Sequence, residues 1–83
     1  MQLKRIRSKI TGIEYDPTPN KEVVYVGNIE QFTRYMANGG DDYFIDMFFD
    51  RHNGKNKMTF VFLRNEYTKL LYERWNNYIL PKE

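Results

Sequence analysis

"DDYFIDMFFDRHNGKNKMTFVFL" (residues 41–63) places two apolar, strand-like runs on either side of Asn53-Gly54. Asn-Gly is strongly favoured in a two-residue type I′ turn, because both central positions need positive φ. With that turn His52 faces Lys55. Counting outward pairs Asp50 with Lys57, Phe49 with Met58, Met47 with Phe60 and Ile45 with Phe62. Three consecutive apolar pairs on one face, closed by an opposite-charge pair near the turn, support this register. The other face carries Phe48–Thr59, Asp46–Val61 and Phe44–Leu63. Large apolar side chains therefore stand on both faces, and something must cover the second.

Upstream, "LKRIRSKITGIEY" (3–15) alternates as a strand does, with Ile6, Ser8 and Ile10 on one side and Arg5, Arg7 and Lys9 on the other. Beyond Thr11-Gly12 the phase flips to Ile13 and Tyr15, as a β-bulge at Gly12 would cause. "DPTPNK" (16–21) reads as a turn, and "EVVYV" (22–26) as a second strand paired with the first.

Asn28 is a good N-cap, with Gln31 at the reciprocal capping-box position. Ile29, Phe32 and Met36 then recur at helical spacing, with Tyr35 beside them, until Asn38-Gly39-Gly40 stops the helix. Asn65 caps a second helix whose apolar stripe is Tyr67, Leu70, Leu71, Trp75 and Tyr78, and which Pro81 ends. Tyr72 falls just off that stripe. The expected fold is α+β in the order ββαββα: one four-stranded, mostly antiparallel sheet with both helices packed on one face.

Eighty-three residues make one domain, 1–83. There is no cysteine, so packing must stabilise it, and seven Tyr, six Phe and one Trp supply large rings. No apolar run approaches the roughly 18 residues of a membrane span, and the basic N-terminus leads into no signal-like apolar segment. A cytoplasmic chain is expected, in a host cell if phage-encoded. The net charge of +2 is unevenly spread. Lys4, Arg5, Arg7 and Lys9 open the chain; eight acids against two bases fill residues 10–50; seven bases against three acids close it.

Catalytic groups are sparse. Ser8 is the only serine and has no histidine near it in sequence; His52, the only histidine, sits at the hairpin tip. A general base needs a positioned partner and a pocket. Asp46 and Asp50 share a face but lie roughly 13 Å apart along a strand, too far to share a metal ion. Asp41-Asp42 read as polar loop residues leading into the strand. The glycines fit turns and a helix stop, with no phosphate-cradling pattern. The chain reads as a non-enzyme with no metal or cofactor.

Two surfaces suggest binding. Phe44, Phe48, Val61 and Leu63, with Asp46 and Asp50 among them, would form an apolar patch with an acidic rim if the second face is open. That patch suits a protein partner or a second copy of the chain. Alternatively, the N-terminal segment, a bent sheet or the second helix could cover that face and make it part of the core. The other surface is Arg5, Arg7 and Lys9, which with Arg51, Lys55 and Lys57 at the hairpin tip could track nucleic-acid phosphates. Such a charged row also protects an edge strand.

In composition alone, being short, cysteine-free and rich in Tyr, Asn and Lys, the chain resembles the small accessory proteins of phages and mobile elements. That resemblance implies a viral-type inhibitor or regulatory protein acting through protein binding. It carries no functional residue with it.

Overall fold

A computed structural model describes residues 5–52 and 54–80, with backbone only at 50–52, 55 and 56. The central strand is β5 (Lys55–Leu63), flanked by β3 (Val23–Val26) and β4 (Phe44–His52) in an antiparallel sheet of order β3-β5-β4. Along β5 the side chains alternate, as strand geometry requires. Met58, Phe60 and Phe62 face the helices, while Thr59, Val61 and Leu63 face the other way.

The sequence-derived register holds from His52–Lys55 through Asp46–Val61. Gly54 has φ +75°, as the turn needs; Asn53 lies outside the described residues. Beyond Asp46 the ladder departs from expectation. Phe44, not Ile45, stands opposite Phe62, so Ile45 is the extra residue of a β-bulge. One extra residue exchanges the faces of what precedes it. Phe44 turns to the helix side, meeting the Phe62 ring edge-on at 5.8 Å. Ile45 joins Val61 on the opposite side.

The four-stranded sheet is also corrected: among the described residues five strands form two sheets. β1 (Ile6–Arg7) and β2 (Glu14–Tyr15) pair only with each other, in the register Ile6–Tyr15 and Arg7–Glu14. The phase flip in the sequence is thus a chain reversal and not a bulge. Ser8 drives it: its hydroxyl oxygen accepts from Ile10 N–H and Thr11 N–H, both at 3.1 Å, and Gly12 takes φ +78°. β3, expected beside the N-terminal strand, pairs instead with β5, Val24 opposite Phe62 and Val26 opposite Phe60.

Helix α1 (Ile29–Ala37) starts where Asn28 Oδ1 accepts from Glu30 N–H at 2.9 Å and Gln31 N–H at 3.1 Å. The expected return bond from Gln31 to the cap is replaced: its amide donates to Tyr35 Oη at 2.9 Å. Gly39, at φ +90°, ends the helix. A short 3₁₀ turn (Gly40–Tyr43) follows, where a Cβ on Gly40 would sit 2.6 Å from the Tyr35 carbonyl oxygen. Helix α2 (Glu66–Asn76) is capped by Asn65 through a full capping box with Thr68. Its buried stripe is Thr68 and Leu71, with Trp75 half-buried. Tyr67 and Leu70 keep substantial exposure and Tyr78 is outside the helix altogether. Pro81 lies outside the described residues.

Both helices cover one face. Phe32 stacks on Phe60 at 3.9 Å, and Tyr35 meets Phe62 edge-on at 5.4 Å. Val26, Leu71 and Leu80 complete this core. Leu80 is held by Arg34, whose Nη1 donates to the Leu80 carbonyl at 2.7 Å, while Trp75 lies 5.8 Å from the same guanidinium. A second, smaller core of Tyr15, Val23, Ile45 and Val61 occupies the other face. The architecture is three layers: helices, three-stranded sheet, and the β1–β2 hairpin.

Candidate protein-interaction surface

The β1–β2 hairpin is what covers the second face. Three side chains tie it to the bulge. Ser8 Oγ donates to Asp46 Oδ1 at 3.0 Å, Tyr15 Oη donates to Asp46 Oδ2 at 2.8 Å, and Thr11 Oγ1 donates to the Ile45 carbonyl at 2.6 Å. Burial and the bond to Asp46 push the Tyr15 phenol well above its ordinary titration range. Asp46 thereby becomes an internal anchor, and Ser8, the only serine, is buried with its hydroxyl committed.

The expected patch on that face is consequently dispersed. Val61 is fully buried, Phe44 is half-buried against the helices, and Asp46 bonds within the chain. Phe48 and Leu63 keep 40% and 41% exposure but do not adjoin: Phe48 pairs with Thr59, and Leu63 lies at the far end of β5 beside Val23. The side chain of Asp50 lies outside the described residues.

The basic row is engaged too. Arg5 Nη1 meets Glu22 Oε2 at 2.8 Å, a bond that holds the Glu22 carboxyl below its usual range. Arg7 lies 3.8 Å from Glu14. Lys9 is exposed in the hairpin turn and Lys57 is exposed over Gly27. The side chains of Arg51, Lys55 and His52 lie outside the described residues. Arg5, Arg7 and Lys9 therefore do not form a free cationic face.

A different surface emerges on β4, the outer strand of the sheet. Met47, Phe48 and Phe49 are 39%, 40% and 61% exposed. The helices leave these side chains partly uncovered. Phe32 on Phe60 and Tyr35 on Phe62 show that α1 runs along β5 in the same direction. Its first residue, Ile29, is exposed although its spacing placed it on the buried stripe.

The backbone of this edge is treated unevenly. In an antiparallel ladder alternate residues turn their N–H and C=O away from the partner. With His52–Lys55 closing a two-residue turn, the outward residues of β4 are Met47, Phe49 and Arg51. Near the bulge the edge is closed within the chain: Thr11 takes the Ile45 carbonyl, and Asp46 Oδ1 accepts from Met47 N–H at 2.9 Å. Beyond that point the Met47 carbonyl and the Phe49 N–H and C=O have no intrachain partner among the described residues.

Strand order made this surface invisible to the sequence: nothing in residues 41–63 says that β5 is central and β4 outermost. Comparison of the chain with protein-family models, characterised proteins and solved structures finds no match, so the interpretation of the surface rests on the chain's own geometry. Among the described residues no helix is long and apolar enough to cross a membrane.

Proposed function

We propose that this chain is a small non-catalytic protein-interaction module that works through the outer edge of β4, and that the occupant of that edge is a second copy. One observation carries the reading. The strand is blocked by Thr11 and Asp46 at Ile45–Met47, yet left open two residues later, where its side chains are most exposed. Natural proteins protect long apolar strand edges against pairing. Here the protection stops where the apolar surface begins.

The open groups also favour one register. Antiparallel pairing centred on Phe49 sets Phe49 opposite its symmetry mate and Met47 opposite Arg51. It needs the Phe49 N–H and C=O, the Met47 carbonyl and the Arg51 N–H from each copy. The ladder ends there, so Met47 N–H keeps its bond to Asp46 and the Arg51 carbonyl stays outside the pairing. Centring on Phe48 would instead require Met47 N–H. The self-complementary contact is isologous and gives a continuous six-stranded sheet. Met47 and Phe49 of both copies form one apolar stripe across the seam. An accessory or inhibitory role would then use the remaining surfaces of the dimer. The commitment of Ser8 and Asp46 to holding the hairpin supports the non-catalytic reading.

Sedimentation equilibrium tests this. The expected result is a concentration-dependent dimer that Phe49→Lys converts to a monomer with unchanged circular dichroism. A monomer at every concentration, or a dimer indifferent to Phe49→Lys, would overturn it.

A further inference from the structure

The other outer strand, β3, borders a cleft of ≈ 650 Å³ closed in by α1 and α2. That volume lies within the range of ordinary ligand sites. Val24 and Val26 line it from the sheet, Tyr35 from α1, and Thr68 and Tyr72 from α2. Tyr25 also borders it, although its side chain points to the opposite face of the sheet. There its hydroxyl donates to the Pro17 carbonyl and its ring meets Phe48 edge-on at 6.3 Å. What Tyr25 presents to the cleft is therefore its main chain.

The ladder agrees. Arg64 N–H donates to the Glu22 carbonyl at 2.9 Å, so residues 22, 24 and 26 bond toward β5 while Val23 and Tyr25 turn outward. The Val23 carbonyl is taken by Asn20 N–H at 3.0 Å. The Tyr25 N–H and C=O have no such partner among the described residues. An open strand edge lying beside a helix is the setting in which an extended peptide adds as a further strand.

The polar groups around the cleft indicate the peptide's character. Arg64 and Lys69 border it, both exposed, and neither pairs with a carboxylate among the described residues; Glu66 is the one acid on its rim. Tyr35, a residue 1% exposed, accepts from Gln31 at its Oη, which has no acceptor of its own among the described residues. A carboxylate would pair with these exposed cations. We propose that the cleft beside β3 binds an extended, acidic peptide segment of a partner protein, which joins the sheet through the main chain of Tyr25. This surface is separate from the β4 edge, so the two readings stand or fall independently.

The test is selection of a random heptapeptide library on the full chain. The bound peptides would then be compared with versions carrying Glu→Gln or one backbone N-methyl group at each position. Enrichment of acidic sequences is expected, with amide shift changes at Tyr25 and Gly27 in NMR spectra. N-methylation at the pairing position should weaken binding about tenfold, as should the Arg64→Ala/Lys69→Ala double variant, since each removes hydrogen bonds or charge pairing. Failure to enrich any peptide, enrichment without acidic preference, insensitivity to N-methylation, or shift changes confined to β4 would each overturn the proposal. The oligomeric state of the Phe49→Lys variant decides the β4 reading separately.

Discussion

Tyr15 Oη donates to Asp46 Oδ2 at 2.8 Å, joining residues 31 positions apart. With Ser8 on the other carboxylate oxygen, this bond pins the N-terminal hairpin over the second face of the sheet. Both hydroxyls belong to buried residues, so the protein supplies a partner to each carboxylate oxygen. Tyr15→Phe should cost about 1.5–3 kcal/mol, the range for a hydrogen bond to a charged group. Asp46→Ala should cost more, since it orphans Ser8, Tyr15 and Met47 N–H together. Urea unfolding of the purified variants measures both.

The two faces of β4 should respond differently to truncation. Ile45, 3% exposed, packs with Val23 and Val61 under the hairpin. Ile45→Ala should cost about 2–5 kcal/mol. Phe49→Ala should change the stability of the isolated monomer by no more than about 0.5 kcal/mol. Equal losses at the two positions, measured in dilute solution, would contradict the assignment of one to the core and the other to the surface.

Stability should fall at both ends of the pH range, for separate reasons. Thr18 N–H and then the Thr18 hydroxyl hold Asp16 below its ordinary pKa, with Lys21 adding to the effect, and Arg5 does the same to Glu22. A carboxyl whose folded pKa is depressed favours the folded state above its unfolded pKa of about 4, and that contribution is lost as pH falls through the folded value. Tyr15 behaves in the opposite sense. Its folded pKa is raised, so its contribution is complete below about pH 10 and declines as pH rises beyond that. Unfolding midpoints against pH should show both limbs. Asp16→Asn should flatten the acid limb and Tyr15→Phe the alkaline one.

Gly40 permits the 3₁₀ turn to lie against α1. A Cβ there would stand 2.6 Å from the Tyr35 carbonyl oxygen and 3.2 Å from Leu71 Cδ1. Backbone cannot yield as a flexible side-chain tip can, so Gly40→Ala should cost about 1–3 kcal/mol. At Gly54 nothing among the described residues lies within 4 Å of a built Cβ, and its positive φ is what resists substitution. Thermal denaturation of the two alanine variants separates crowding from backbone preference.

Local chemistry in this chain was readable and long-range order was not. Asn28 and Asn65 cap their helices, Gly39 ends the first, and the ladder from His52–Lys55 to Asp46–Val61 follows from one dipeptide. Each of these rests on neighbours in sequence. The bulge at Ile45 does not: it is bound up with Thr11 and Ser8, more than 30 residues away. The N-terminal alternation misled because a tight reversal and a bulge produce the same phase flip. Of the expected binding residues, Phe44 and Val61 were apolar for the core's sake. Met47 and Phe49 share the face of Phe60 and Met58, and pattern alone cannot say that these two stay exposed on it.

Amide hydrogen exchange at Met47 and Phe49 tests the proposed β4 pairing most directly. Met47 N–H, held by Asp46 within one chain, should exchange at a rate independent of protein concentration. Phe49 N–H points outward from the sheet edge and should be unprotected in dilute solution, then slow progressively as concentration rises and a second β4 takes it. A Phe49 amide that exchanges freely up to millimolar concentration would contradict the pairing.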